Sequence, residues 1–316
     1  MDTDLSDASA SFWGEDASDK SGYSVSDVGD VNGDGYDDFV IGAYEDEDGG
    51  TSAGQTYLIL GKASGWSMDG DLSNADASFI GEDSGDKSGY SVSGVGDVNG
   101  DGYDDFIIGA YGDEVGGGDN SGQTYLILGK ASGWSMDTDL TDADASFWGE
   151  DSADQSGWAV SGAGDVNGDG YDDFLIGAPY DDDGGDKAGQ TYLILGKASG
   201  WAMDTDLSNA DASFIGEDSL DQSGSSVSNA GDVNGDGYDD FIIGAYWDEE
   251  GGGSRAGQTY LILGKSSGWS MDTDLSDADA SFLGEDAGDD SGYSISDAGD
   301  VNGDGFADFI IGAYYD

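Results

Sequence analysis

DVNGDGYDD, residues 30–38, decides how this chain is read. The nine residues return unchanged from 97, 165 and 232, and as DVNGDGFAD from 300, at intervals of 67 or 68 residues. A fixed period of that size outranks chain length as a guide to architecture, so the 316 residues read as one array and not as two domains. The units run over residues 17–83, 84–151, 152–218, 219–286 and 287–316, the last being partial, with residues 1–16 left over as a closing strand.

Working outward from the acidic loop, each unit divides at its turn residues into four short stretches. In the first full copy GYSVSDVG (22–29) alternates and leads into the loop as strand A. DFVIGAY (38–44) is a nearly unbroken apolar run, as expected of a strand B buried on both faces. GQTYLILGK (54–62) is rich in β-formers and gives strand C, and ASFIGED (77–83) gives strand D after a loop carrying Trp66 and Leu72. No stretch keeps a helical period. Four strands per unit of this length predict an all-β chain, a β-propeller of four-stranded antiparallel blades, ahead of a β-helix, whose repeats are shorter.

The order of strands bears on closure. The chain opens with a D-type stretch (ASFWGED, 10–16), passes through four complete units, and ends after A and B. Pairing of the first strand with the last two would leave the fifth blade without strand C. The alternatives are imperfect closure, self-association through the incomplete blade, and an open fragment of a larger propeller or array, since an unpaired edge invites association. MDTDL at 1–5 repeats at 136–140, 203–207 and 271–275, so Met1 is in phase with the repeat and suggests an excised segment; no signal peptide opens it.

Composition narrows the functions. The chain carries 69 acids against eight bases, a formal charge of −61, which repels nucleic acid and anionic membranes and favours cations. It has no Cys and no His, which removes disulfides, zinc sites and Ser-His-Asp triads. The longest apolar runs, such as YLIL at 57–60, are far too short for membrane insertion.

The loop chemistry follows from spacing. Asp30, Asn32, Asp34 and Asp38 stand at positions 1, 3, 5 and 9, and Gly33 and Gly35 permit the tight turn. With the carbonyl of Tyr36 at position 7, they supply the oxygens that Ca²⁺ takes at about 2.3–2.6 Å. The start is that of an EF-hand loop, but position 12 is Ile41 and a strand follows. An Asp- and Gly-rich hairpin without metal is the competing reading, and five copies that keep the ligand positions weigh against it.

The sequence resembles the FG-GAP family, the repeats of integrin α-subunit propellers and their bacterial relatives. SGYSVS, the DVNGDGYDD loop and IGAY, which becomes IGAP with Pro179, carry the resemblance over essentially the whole chain. It implies a propeller with one Ca²⁺ per repeat, five in all. The implied ligands are the set above together with Asp97, Asn99, Asp101, Tyr103 and Asp105; Asp165, Asn167, Asp169, Tyr171 and Asp173; Asp232, Asn234, Asp236, Tyr238 and Asp240; and Asp300, Asn302, Asp304, Phe306 and Asp308. Ala307 at position 8 argues that this position is not an essential ligand. The chain departs from the family's usual seven blades, and Tyr23, Tyr90, Trp158, Ser225 and Tyr293 stand where the family places Phe.

A residue present in every blade reads as architecture, not as a unique active site. Trp66, Trp134, Trp201 and Trp269 read as packing and not as a sugar-binding set, and GED triplets such as Glu82–Asp83 as solvated turns and not as auxiliary cation ligands. The B-to-C loops vary most: EDEDGGTSA (45–53), GDEVGGGDNS (112–121), DDDGGDKA (181–188) and WDEEGGGSRA (247–256). They are the expected place for a protein or glycan ligand, with Trp247 and Arg255, the only Arg, as sharpest candidates, against a packing role for both. No pair among the 69 acids stands out for glycosidase chemistry. The resulting expectation is a calcium-binding, non-enzymatic propeller for adhesion or scaffolding in an extracellular or cell-surface bacterial protein, with saline surroundings plausible. The alternatives are a lectin propeller, the non-catalytic part of a larger secreted hydrolase, and a designed or amplified repeat.

Overall fold

The computed structural model describes residues 4–114 and 116–316. Val115 in the second B-to-C loop and the first three residues of the opening MDTDL lie outside the described residues. Blade 1 is built from strands A (Ser24–Gly29), B (Asp38–Ala43), C (Gln55–Ile59) and D (Ala77–Ile80). Blades 2, 3 and 4 repeat it as Ser91–Gly96, Asp105–Ala110, Gln123–Ile127 and Ala145–Trp148; Ala159–Gly164, Asp173–Ala178, Gln190–Ile194 and Ala212–Ile215; and Ser226–Gly231, Asp240–Ala245, Gln258–Ile262 and Ala280–Leu283. In each, A to D form an antiparallel meander, with Phe39 opposite Ile59 and Ala43 opposite Gln55 in the first. The fifth sheet has two strands, Ser291–Gly299 and Asp308–Ala313. The chain is therefore an all-β propeller whose last blade is incomplete.

The connection between C and D, read from sequence as a loop, contains a further short strand. Thr138–Asp139, Thr205–Asp206 and Thr273–Asp274 pair in parallel with strand D of the preceding blade, so each of the first three blades carries a fifth strand from its neighbour. A 3-10 turn follows at once. In the second blade the Asp139 carboxylate caps it by accepting from Thr141 N, and Leu140 enters the core between blades 1 and 2. The N-terminal strand Phe12–Trp13 repeats this latch by pairing with Gly70–Asp71.

The core lies between blades. Val28, Val40, Leu58 and Phe79 of blade 1 meet Val92, Phe106, Ile108 and Tyr125 of blade 2, and the next two junctions repeat the arrangement. Ile108 faces back to blade 1 while Ile107 faces forward to blade 3, which explains why strand B is apolar without alternation. Each such side chain contributes roughly 1.5–3 kcal/mol by leaving water. The Gly of each Ile-Gly-Ala triplet is required by close approach: a Cβ on Gly42 would lie 2.0 Å from the carbonyl oxygen of Gly89 in the next D-to-A turn.

At the first blade, positions that later blades bury lie open. Leu5 is 87% exposed, whereas Leu72, Leu140, Leu207 and Leu275, at the same place in the repeat, are at most 1% exposed. Val25 is 65% exposed, against 5–9% for Val92, Val160 and Val227. Between them the five A strands line a central channel, with Tyr23, Tyr90, Trp158, Tyr246 and Tyr293 around a cavity of about 430 Å³ at one mouth.

Candidate metal centre

Every A-to-B turn has one local construction. Strand A ends on a bulge at Asp27 and Gly29, and the chain then turns through Gly33 and Gly35 with φ of +73° and +89°. Asp30 organises the turn: Oδ1 accepts from Gly33 N at 2.7 Å and Asp34 N at 3.0 Å, and Oδ2 from Gly35 N at 2.8 Å. Asp34 accepts from Tyr36 N at 3.0 Å. Asp38, buried at the head of strand B, accepts from Val31 N at 3.1 Å and from Gly61 N, beyond strand C, at 2.6 Å. Its Oδ2 also lies 3.4 Å from the Asn32 amide nitrogen, so positions 1, 3, 5 and 9 fall in one loop.

The other copies superpose on this pattern. Asp97, Asp165, Asp232 and Asp300 each accept from the backbone at positions 4, 5 and 6 of their loops. Asp101, Asp169, Asp236 and Asp304 each accept from the nitrogen of position 7, which is Tyr103, Tyr171, Tyr238 and Phe306. Asn99 and Asn234 accept from Asp101 N and Asp236 N at 2.8 Å, and Asn167 is buried. Asp105, Asp173 and Asp240 bridge the loop to the second residue after strand C, through Gly129, Gly196 and Gly264 at 2.7 Å. Asp308 accepts from Val301 N at 3.0 Å and from the Asn302 amide, and among the described residues no third strand pairs with its sheet.

The electrostatics of position 9 test the fit to a cation. Burial pushes the carboxyls of Asp105 and Asp173 up to about 8 and those of Asp38 and Asp240 up to about 6, although backbone N–H groups oppose the shift. The acids at positions 1 and 5 add to it by repulsion, as Asp101 and Asp97 do at Asp105. Among the described residues the one ion pair is Arg255 with Asp290, neither of which belongs to an A-to-B loop. Carboxylates and an amide oxygen, crowded and without a basic partner, are the donor set of a hard divalent cation. Among the described residues no three carboxylates are gathered into a preformed cluster, because those of each loop are turned onto backbone N–H groups.

The role of position 8 was not legible in one repeat. Asp104, Asp172 and Asp239 reach back one blade and accept from the nitrogen of Asp30, Asp97 and Asp165 at 2.8–3.0 Å. The position-7 ring packs on the same preceding loop: Tyr103 lies 2.7 Å from where a Cβ on Gly33 would stand. The loops are thus linked from blade to blade, and at the last junction Ala307 lacks the carboxylate link while its nitrogen still donates to Asp232 O and the Phe306 ring still packs on Gly235.

A second acidic group lies at the B-to-C loops: in the first four GED triplets the glutamate is partly covered there, whereas the aspartate of each triplet is exposed, as in a solvated turn. The hydroxyl of Tyr57 lies 3.2 Å from Glu15 Oε2 and 3.1 Å from Asp46 Oδ2, and Tyr192 and Tyr260 reach Asp181 and Asp248 at 3.1 and 3.3 Å. Four residues after the glutamate of their triplets, Asp86, Asp154 and Asp221 are buried, each accepting from the backbone nitrogen three residues earlier, and burial raises them to about 7, 8 and 7. The signal available in sequence was the invariant spacing of an acid behind each GED.

Packing also accounts for other candidates. Each Trp of the C-to-D connection lies under a lysine ammonium, 4.5–4.7 Å from the ring, and Trp201 stacks on Phe174. Arg255 pairs with Asp290 and lies over Trp247 at 5.1 Å, so this pair staples the fourth B-to-C loop to the turn entering the fifth blade instead of standing free for a ligand. Tyr23, Tyr90 and Trp158 form a chain of rings at the channel mouth with centroids 4.8–4.9 Å apart. No helix among the described residues is long and apolar enough to cross a membrane.

Comparison with known proteins agrees with this architecture. The FG-GAP repeat model matches residues 21–59, 88–127, 156–194, 223–262 and 292–316, together more than half of the chain. Integrin alpha pat-2 of Caenorhabditis briggsae is 31% identical over 242 residues, covering 72% of this chain and 18% of that protein. Integrin alpha-V of Gallus gallus is 30% identical over 231 residues, covering 72% and 20%, and integrin alpha-PS2 of Drosophila melanogaster is 32% identical over 230 residues, covering 71% and 15%. The chain thus spans a fifth or less of these relatives. Five matched repeats, laid over five A-to-B pairs of strands, place the chain in the FG-GAP repeat family as an integrin alpha-like β-propeller.

Proposed function

We propose that this propeller binds about one Ca²⁺ in each A-to-B loop, five in all, and serves as a non-enzymatic adhesion or scaffolding module of an extracellular or cell-surface protein of bacterial type. The observation that carries the calcium reading is the set of position-9 carboxyls, buried at the head of strand B in the first four loops beside two further loop acids with no basic partner, a pattern whose spacing the fifth loop repeats with a half-buried Asp308. Bound calcium keeps those carboxylates ionised. The side chains of positions 1, 3, 5 and 9 and the carbonyl of position 7 would hold it. An ion that binds only the native state stabilises it by mass action, which is useful to a chain without disulfides. Extracellular calcium is abundant enough to fill such sites, and five divalent ions still leave a formal charge of −51, which keeps the surface hydrated.

Two further observations support a non-enzymatic role. The matched relatives are integrin alpha subunits, and the acids that are buried together recur blade after blade, as architecture does and a single active centre does not. The test is a thermal melt with calcium and with EGTA. A fall in Tm of more than about 10 °C, reversed by calcium and not by magnesium, is expected. An unchanged melt would remove the calcium reading.

A further inference from the structure

We infer that blades 2, 3 and 4 each hold a second divalent cation of calcium's kind, where the B-to-C loop, the head of strand C and the turn entering the blade meet. Each site is built from two carboxylates, a phenol and an amide. In blade 3 the Tyr192 hydroxyl stands 3.1 Å from Asp181 Oδ2 of the B-to-C loop and also meets Glu150 of the turn. Blade 4 repeats this with Tyr260, Asp248 at 3.3 Å and Glu217, and blade 2 with Tyr125, Asp113 at 3.2 Å and Glu82. Residues two apart in a strand share a face, so Gln123, Gln190 and Gln258 point with the tyrosines that follow them. In blade 4 Gln258 Nε2 lies 3.5 Å from Glu217 Oε1, which places the amide within the group.

What these groups lack is positive charge. Gln123 and Gln190 are fully buried and Gln258 is 2% exposed. Yet among the described residues neither amide atom of Gln123 has a partner, nor has Oε1 of Gln190, Gln258, Glu82 or Glu150. In blades 3 and 4 every unmet atom of the group is thus an acceptor, and the tyrosine has one proton to give to two carboxylates. Burial first, and then the charge of Asp181, push Glu150 up to about 7. No lysine or arginine answers these acids, the one ion pair among the described residues being Arg255 with Asp290. A water would leave two buried charges facing each other. A divalent ion balances them, takes the phenol and amide oxygens as neutral ligands, and reaches calcium's about six to eight oxygens with added water. The glutamate of each triplet, which reads as part of a turn in sequence, is then a ligand, while the aspartate after it stays exposed. Blade 1 is set apart, since the Gln55 amide, turned over, donates to Asp46 Oδ1 at 3.1 Å and accepts from Ser78 Oγ at 2.8 Å. None of these residues belongs to an A-to-B loop, so the inference stands independently of the calcium reading there.

Equilibrium dialysis of calcium against the folded 316-residue chain counts the ions. Eight are expected, five in the A-to-B loops and three here, and seven for the double variant Glu150→Gln/Asp181→Asn, which empties the blade 3 site. In EGTA that variant should melt at or above the wild-type temperature, having lost a repulsion and kept its shape, and the same melt shows that it folds. Gln190→Leu, which changes no charge, serves where the double variant does not fold: one site should weaken by about tenfold. Five ions in both wild type and double variant, eight in both, or an isotherm that Gln190→Leu leaves unchanged would each overturn the proposal. Three in the wild type and two in the double variant would overturn the calcium reading of the A-to-B loops and leave this one standing, and no bound calcium at all would overturn both.

Discussion

Blade 4 and the fifth sheet share the sequence DFIIGA, yet Ile242 is fully buried while Ile310 is 60% exposed. The difference is not in either strand but in what stands behind it. Ile242 packs with Ala230 and Leu261 of its own blade and meets Ile295 and Phe309 of the next, and Ile310 has no following blade among the described residues. Stability in such an array resides in the junctions between units more than in the units. The largest expected effect follows directly. Ile242→Ala should cost about 2–5 kcal/mol and Ile310→Ala less than about 1 kcal/mol, read as shifts of the urea midpoint. Equal costs would mean that the end of the array is covered in solution.

The turn carboxyls sharpen the comparison at intermediate size. Asp86, Asp154 and Asp221, in the turns entering blades 2, 3 and 4, are raised by burial to about 7, 8 and 7 from a free value of 3.8. Between those values the folded chain holds protons that the unfolded chain has released, so stability is greatest at the acid end and falls as pH rises toward 8. With calcium saturating, Tm should fall from pH 5.5 to pH 8.5. Asp154→Asn keeps an oxygen to accept from Asp151 N at 2.8 Å in the present turn, and it removes the charge. It should raise stability at pH 8.5 by about 1–3 kcal/mol and flatten the slope. A Tm that rises with pH in both proteins would contradict the burial of these groups.

What could be read from the sequence and what could not divide along the same line. Strands A to D and the ligand spacing of DVNGDGYDD are local patterns, set by alternation, β-propensity and turn glycines, and they are legible in a single repeat. Strand B's lack of alternation even revealed that both faces are covered. Contacts between repeats are different. Thr138–Asp139 has no strand pattern of its own and becomes a strand only because strand D of the previous blade offers an edge. Glu15 reads as part of a solvated turn until Tyr57, 42 residues on, is brought to it. The packing of Trp247 and Arg255 depends on Asp290, which a loop-by-loop reading does not place beside them.

Position 8 of the calcium loop gives the smallest effect and the most specific one. At three junctions an Asp at this position accepts from the first residue of the preceding loop, and at the fourth Ala307 leaves only the backbone bond from its own nitrogen to Asp232 O at 3.1 Å. The Cβ of Ala307 lies 2.7 Å from where a Cβ on Gly231 would stand, closely matching the approach of Asp239 to Gly164. A carboxylate there would therefore be placed to reach Asp232 N without rearrangement. Its gain is one charge-assisted hydrogen bond, and its opposing cost is one more negative charge beside Asp232 and Asp236. Bound calcium in that loop reduces the cost. Ala307→Asp should thus stabilise the last junction by about 0.5–1.5 kcal/mol with calcium present and by less without it, and Asp172→Ala should lose a similar amount at an interior junction. Amide exchange at Asp232 and Asp97 reads the two changes separately. If Ala307→Asp destabilised the chain in calcium, position 8 would be a matter of loop charge and not of the link between blades.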